Sequence, residues 1–369
     1  MTATGRPRIF ALISGGGTGG HVYPALALAE ELVARGHPRP SVRFLGARRG
    51  LEARAVPAAG FEVELLPGRG IERRVSLRTV TALLTDVVAV LWAVVIVGRR
   101  RPSVVVGVGG FASVPGVLAA WVWRVPLVVH EQNAAPGAAN RLAVRLGGRA
   151  AVGLPGTPLR GAVTTGNPVR AEIAAVRRRP DPERPLVLVV GGSLGARRLN
   201  DAALGLYDRW RGRRDVAVHH VVGERNLDAC RARLDGLRRV GDTLDYTLVG
   251  YEHEMAAQYA RAAIAVSRGG AIAVSELAAV GLPAVVVPLP DAPGDHQTAN
   301  ARALAGPEGD GGVVLPDEQC TADRLTSLLD ELLADRSRLD AMGAAARSRA
   351  RLDAAARLAD LVEERASVA

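Results

Sequence analysis

The sequence contains no lysine. All 47 basic residues are arginine, set against 37 acidic ones, for a formal net charge of +10. Coding biased toward arginine and alanine would produce this excess. The charge therefore fits a phosphate or anionic-lipid partner and equally fits solubility alone. Cysteine is almost missing: Cys230 and Cys320 stand far apart in no C-x-x-C pattern. That excludes a disulfide scaffold and a structural zinc site. Aromatic residues are 4% of the chain, which argues against a base-stacking platform, and no nucleic-acid partner is expected. The first residues, Met1 to Pro7, run straight into a short apolar strand without a signal-peptide core, so a reducing, cytoplasmic setting is expected. No G-x-x-x-x-G-K-[ST] is present, which excludes a P-loop kinase, and no G-x-S-x-G elbow. No D-x-D follows a strand; Asp181 and Glu183 sit in a proline-rich loop. A diphosphate would then be held without an obligatory metal or other cofactor, by helix dipoles and arginines.

What is present points to two α/β domains. The length of 369 residues suggests two domains, and the 42 glycines suggest tight turns. Arg8–Ser14 is an apolar strand that meets Gly15–Gly20, followed by helical spacing over Pro24–Ala34. Val42–Gly46, Val104–Val108 and Val125–His130 are further strands. The pattern restarts at Pro185–Val190, which runs into Gly191–Ala196. Val216–Val222, Ala263–Ser267 and Leu282–Pro288 are strand candidates; Ala271–Val280 and Asp323–Leu333 are helices. Strand, glycine turn, helix, strand is the βαβ pattern of a parallel sheet. We therefore expect two tandem Rossmann-like, doubly wound parallel-sheet domains with an interdomain cleft. Their expected bounds are 1–166 and 167–345, with a terminal helix at 346–369 that could pack back on the first domain. The join falls near Gly166–Arg184, where prolines and arginines cluster.

Thr79–Val97 is long and apolar enough to be weighed as a membrane span. Asp86 interrupts it, and spanning would put neighbouring strands of one sheet on opposite sides of a bilayer. A packed or surface-lying helix is expected instead. Arg73, Arg74 and Arg78 before it and Arg99–Arg101 after it fit contact with an anionic leaflet, or the solvated ends of a core helix.

The first loop, Gly15-Gly16-Gly17-Thr18-Gly19-Gly20-His21, would let a phosphate approach the backbone. The second strand ends Leu45-Gly46-Ala47-Arg48 without the acid that a dinucleotide ribose requires, which disfavours NAD, while Arg48 and Arg49 leave NADP and an NADP-linked oxidoreductase open. His21, where loop becomes helix, is placed to take a proton near neutral pH, or is a plain capping residue. His130-Glu131-Gln132-Asn133 follows a strand, where open sheets bind ligands; Asn133 could hold a sugar hydroxyl and Glu131 could orient His21. Arg170, at the domain join, can reach a phosphate or pair with a carboxylate across a hinge. Ser193 offers a hydroxyl in the second glycine loop. Arg268 precedes a helix whose N-terminus favours anions, and Glu276 within it could accept from two ribose hydroxyls. Asp295-His296-Gln297 with Asn300 offers partners for a sugar. Together these features describe a nucleotide-sugar pocket.

The residues Gly15–Pro24 (GGGTGGHVYP), His130–Asn133 (HEQN), Asn167–Arg170 (NPVR), Gly191–Ala196 (GGSLGA), Arg268–Glu276 (RGGAIAVSE) and Asp295–Asn300 (DHQTAN) resemble, in order, the motifs of the MurG family. These are the UDP-GlcNAc:lipid I N-acetylglucosaminyltransferases of peptidoglycan synthesis, on which cell shape and division depend. The resemblance implies a GT-B fold and an inverting transfer without an obligatory metal. It implies a peripheral place on the cytoplasmic face of the plasma membrane, against anionic lipids. UDP-GlcNAc would lie mainly on the second domain and the lipid-linked muramyl-pentapeptide acceptor on the first. His21 is the expected base, with Glu131 assisting. By the same resemblance Gly17, Thr18, Gly19, Asn133, Arg170, Ser193, Arg268 and Ala271, Ile272, Ala273, Val274, Ser275 and Glu276 contact the donor. Gln297 and His296 would meet the GlcNAc hydroxyls, and Tyr251 stands near the uracil. Leu194 replaces a common Gln, Gly269 replaces a usual Ser or Ala, and Pro290–Gly294 is an unusual approach to Gln297. A paralogue with another polyprenyl-linked or natural-product acceptor would keep this skeleton, and a UDP-sugar epimerase could share the fold.

Overall fold

The computed structural model describes residues 8–67, 77–192 and 196–367, the side chains of residues 77–84 aside. The chain divides into two compact units, Met1–Arg170 with Arg351–Ala369, and Ala171–Ala350.

Unit 1 runs β1 (Ala11–Ser14), α1 (Gly19–Ala34), β2 (Val42–Ala47), α2 (Glu52–Ala58), β3 (Glu62–Leu66), α3 (Leu77–Arg100), β4 (Val104–Gly107), α4 (Val114–Trp123), β5 (Leu127–Glu131), α5 (Ala138–Arg145), β6 (Arg149–Val152) and β7 (Val163–Thr164). Its strands form one sheet in the order β3-β2-β1-β4-β5-β6-β7. Every pairing is parallel. Successive strand residues point to opposite faces, so the apolar run of each strand feeds two cores. Ala11, Ile13, Val104 and Val106 face Ala25, Leu28 and Leu32 of α1. Leu12, Val105 and Val129 face Ala89, Ala93 and Val97 of α3 and Val117 of α4.

Unit 2 runs α6 (Ala171–Ala174), β8 (Leu186–Val190), α7 (Arg197–Trp210), β9 (Ala217–Val221), α8 (Leu227–Leu237), β10 (Asp245–Val249), α9 (Met255–Arg261), β11 (Ala262–Ser267), α10 (Ala271–Val280), β12 (Ala284–Val286), α11 (His296–Ala305), β13 (Val313–Val314), α12 (Ala322–Ala334) and α13 (Arg336–Ser348). Its sheet has the order β10-β9-β8-β11-β12-β13, again all parallel. Val187, Val189, Ile264 and Val266 pack on Leu199 and Leu206 of α7 and Leu325 and Leu329 of α12.

The last helix, α14 (Ala354–Ser367), belongs to unit 1. Leu358 and Val362 complete the core beneath α1. Arg35 bridges Asp360 at 2.6 Å and Glu363 at 2.8 Å, and donates to the Ala356 carbonyl at 2.8 Å.

Helix α1 starts at Gly19, not at Pro24 as its apolar spacing predicts. Pro24 therefore lies inside the helix, where it supplies no N–H to the Gly20 carbonyl. In both sheets the strand order reverses beside the first strand, at β1/β4 and at β8/β11. A ligand crevice opens at the carboxyl ends of such a pair. Both switch points carry glycine loops, after β1 and β4 and after β8 and β11.

Candidate active site

In unit 1 the loops after β1 and β4 close on one another. A Cβ on Gly15 would lie 2.5 Å from the Val108 side chain and 2.8 Å from the Gly109 carbonyl. Gly109 and Gly110 take φ of 86° and 73°, and the His21 imidazole lies against both. Thr18 caps α1 in extended conformation, and its Oγ1 lies 3.2 Å from His21 Nδ1. With Nδ1 protonated and donating to that hydroxyl, Nε2 carries the lone pair that a base requires.

Other residues of unit 1 serve different purposes from those expected. Gly17 donates its N–H to the carboxylate of Glu52 at 2.7 Å rather than offering it to a phosphate. Thr18 holds His21, and Gly19 leaves room for Tyr23, 2.9 Å from where its Cβ would be. Glu131 is not placed to orient His21. Its Oε1 accepts from the Asn133 N–H at 2.9 Å and the Asn133 side chain at 3.1 Å. Its Oε2 accepts from the Gly137 N–H and from Asn140 Nδ2, both at 2.8 Å. At 2% exposure the carboxylate is filled and shapes its own loop, which also occupies Asn133. His130 is fully buried, bonded to the Gly166 carbonyl at 3.1 Å and to Gln132, and burial pulls its pKa down to about 4. It is a neutral brace between β5 and the end of the unit. The Arg170 guanidinium lies over the Tyr23 ring of α1, 5.3 Å from its centroid.

In unit 2 the loop Arg268-Gly269-Gly270 leads from β11 into α10. Gly270 is the N-cap and no side chain caps the helix. The first intrahelical donor is the Val274 N–H, bonded to Gly270 O at 3.0 Å. The N–H groups of Ala271, Ile272 and Ala273 thus have no partner within the helix, at the end where an anion is favoured. Val274 drops out: its N–H is used in the helix and its side chain is buried. Ser275 Oγ turns back to the Ala271 carbonyl at 2.8 Å. Glu276 is buried, and its Oε2 accepts from the Tyr259 hydroxyl of α9 at 3.0 Å.

Arg268 does not reach out as a charged arm. It is 8% exposed, and its Nη1 donates to Asp317 at 2.5 Å and to the carbonyls of Val287 and Pro288. It ties the loop after β11 to the chain that follows β12. A Cβ on Gly269 would lie 2.4 Å from the Gln297 carbonyl oxygen. Glycine at this position accordingly goes with an α11 whose first turn lies against it, reached through Asp291 and Asp295 at positive φ. Gln297 Oε1 accepts from the Leu289 N–H at 3.0 Å, and His296 Nδ1 donates to the Pro293 carbonyl at 2.8 Å. Asn300, fully buried, donates to the Gly269 carbonyl at 3.0 Å. Tyr251, 44% exposed, follows β10 and stands edge-on to His253. Ser193 and Leu194 lie outside the described residues. Among the described residues no group of three or more His, Cys, Asp or Glu side chains could hold a metal ion.

Residues 11–152 match the glycosyltransferase family 28 N-terminal domain, and residues 186–359 match the family 28 C-terminal domain. The chain belongs to glycosyltransferase family 28. A relative from Alkalilimnicola ehrlichii is 45% identical over 365 residues, covering 96% of this chain and 98% of its own. Its name is UDP-N-acetylglucosamine–N-acetylmuramyl-(pentapeptide) pyrophosphoryl-undecaprenol N-acetylglucosamine transferase. A relative of the same name from Shewanella amazonensis is 39% identical over 361 residues, 96% of this chain and 97% of its own. The crystal structure of Acinetobacter baumannii MurG superposes with a TM-score of 0.76 at 28% identity, covering 96% of this chain and 99% of that one. A putative UDP-N-acetylglucosamine 2-epimerase from Listeria monocytogenes reaches a TM-score of 0.65 at 13% identity, covering 95% of this chain and 94% of that one, and shares the fold alone. The two parallel-sheet units of this family 28 chain are of the GT-B type. Three side chains of its sites escaped the sequence reading: Glu52, Tyr259 and Asp317. Each acts through a contact between separate elements that no local motif announces.

Proposed function

We propose that this chain transfers N-acetylglucosamine from UDP-GlcNAc to the 4-hydroxyl of the muramyl sugar of lipid I, giving lipid II with a β-1,4 link. The observation that carries the reading is the 45% identity, along nearly the whole of both chains, to a transferase named for that donor and acceptor. The acceptor hydroxyl attacks the anomeric carbon from the face opposite UDP. The C–O bond to the diphosphate breaks as the new one forms, and His21 Nε2 takes the hydroxyl proton. The N–H groups of Ala271, Ile272 and Ala273 face the developing negative charge on UDP, and Arg170 adds a positive one. No metal is required for this step. Glu276 accepts from the ribose hydroxyls, Tyr251 offers an aromatic face to the uracil, and Gln297 and His296 meet the GlcNAc hydroxyls.

A lipid-linked acceptor requires contact with a membrane surface. Among the described residues no helix is long and apolar enough to cross a membrane. Helix α3 instead turns Ala89, Ala93 and Val97 inward and exposes Val87, Val88, Leu91, Trp92 and Val95. Trp121 and Val122 of α4 are exposed too. Arg48 lies over the Trp92 ring and Arg101 over Trp123. An apolar face studded with arginines suits peripheral binding to an anionic inner leaflet. Arg73 and Arg74 lie outside the described residues.

The base is tested by His21→Ala. Turnover should fall about a hundredfold or more while UDP still binds. Parental turnover in a folded variant would remove His21 from the reaction.

A further inference from the structure

Helix α2 begins with Glu52, an acid that the reaction as drawn above does not use. It is 1% exposed. Three glycines make room for it. A Cβ would lie 2.2 Å from its carboxyl carbon on Gly16, 2.1 Å from its Oε2 on Gly50, and 2.4 Å from its Cγ on Gly46. Inside this cradle Oε2 accepts the Gly17 N–H at 2.7 Å and Oε1 accepts the Ala47 N–H at 2.8 Å. The carboxylate thus takes a glycine-loop N–H, the kind of donor that binds a phosphate in a nucleotide-binding loop, and it joins the loop after β1 to the end of β2. A buried carboxylate is costly unless bonded, and Gly16 and Gly17 take φ of 149° and 90°, open only to glycine. This arrangement holds one peptide. That peptide comes immediately before Thr18, whose hydroxyl meets His21 Nδ1 at 3.2 Å and whose carbonyl accepts the His21 and Val22 N–H groups at 3.1 Å.

We propose that Glu52 is a positioning residue for the transfer: its carboxylate fixes the first glycine loop so that Thr18 sets the ring and tautomer of His21. The same carboxylate fills the loop with the chain's own negative charge, so unit 1 rejects a nucleotide phosphate there. The proposal rests on the reading of His21 as the base. Glu52→Gln keeps the volume but turns an NH2 toward one of the two N–H donors. Turnover should fall about tenfold to a hundredfold, the scale of a small misplacement of a reacting group. KM for UDP-GlcNAc should hold, because Glu52 bonds to the Gly17 and Ala47 N–H groups and to none of the residues assigned to the uridine and the sugar. The His21 ring-nitrogen resonances, followed by NMR on the full chain, should move. Thr18→Val cuts the link one step later and leaves Glu52 in place. It should reproduce the loss of turnover and the shift of those resonances, and it keeps the test open if Glu52→Gln does not fold. Unmoved His21 resonances with parental turnover, in either variant, would overturn the role of Glu52. Parental turnover of His21→Ala would sink the base assignment instead, and the resonances of Glu52→Gln would still decide whether Glu52 sets that ring.

Discussion

Asp317 holds two arginines on one carboxylate in very different surroundings, and that contrast yields a quantitative prediction. Its Oδ1 meets Arg268 at 2.5 Å, with both side chains about a tenth exposed or less. Its Oδ2 meets Arg198 at 2.9 Å, with the Arg198 side chain 52% exposed. Removing one partner of a buried pair leaves an uncompensated charge, at a cost of about 3–5 kcal/mol. Removing a half-exposed partner costs about 1 kcal/mol or less. Asp317→Ala should therefore destabilise the chain by about 3–5 kcal/mol and Arg198→Ala by about 1 kcal/mol at most, read from urea unfolding midpoints. Arg268 leads directly into α10, so Asp317→Ala should also weaken UDP binding in calorimetry. A loss for Asp317→Ala no larger than that for Arg198→Ala would refute the claim that Asp317 braces Arg268 ahead of α10.

Two further outcomes are expected. His130 and His220 are buried in neutral form, with pKa values pulled by burial to about 4 and about 3. The unfolded chain binds protons near pH 6.5 where the folded one does not, so stability is full above that pH and falls as pH drops toward 4. His130 alone accounts for about 3 kcal/mol over that interval, at about 1.4 kcal/mol per unit. A urea midpoint that stays level from pH 6.5 to 4.5 would contradict this. Glu276→Ala removes an acceptor worth about 1.5 kcal/mol or more, so UDP affinity should drop about tenfold or more while Tyr259→Phe has a smaller effect. Equal titration curves for Glu276→Ala and the parent would remove Glu276 from the ribose site.

Much of this architecture is legible in the sequence because central parallel strands are continuous apolar runs. Leu186–Val190 and Ala262–Ser267 are fully or nearly buried and stand out at once. The edge strands do not. Glu62–Leu66 and Asp245–Val249 mix charged or polar residues with apolar ones over only five residues, too short a pattern to stand out beside a continuous apolar run. The start of α1 is hidden for a different reason: Gly19 and Gly20 are poor helix formers and Pro24 breaks the pattern, while packing against the sheet carries the helix through. The motifs mark the loops at both switch points but do not show what their charged members bond to. Glu131 and Arg268 look like free functional charges in one dimension. In the fold their partners arrive from Asn140 and Asp317, and both become braces. The Gly269 departure is explained only by the Gln297 carbonyl lying against it.

Labelled GlcNAc followed from UDP-GlcNAc onto a short-chain lipid I analogue, with UDP release measured in parallel, puts the transfer itself to the test. One UDP should be released per GlcNAc transferred, the product should be β-linked, and an analogue lacking the muramyl 4-hydroxyl should accept nothing. Donor binding without transfer, or UDP release that is indifferent to that hydroxyl, would contradict the proposed reaction.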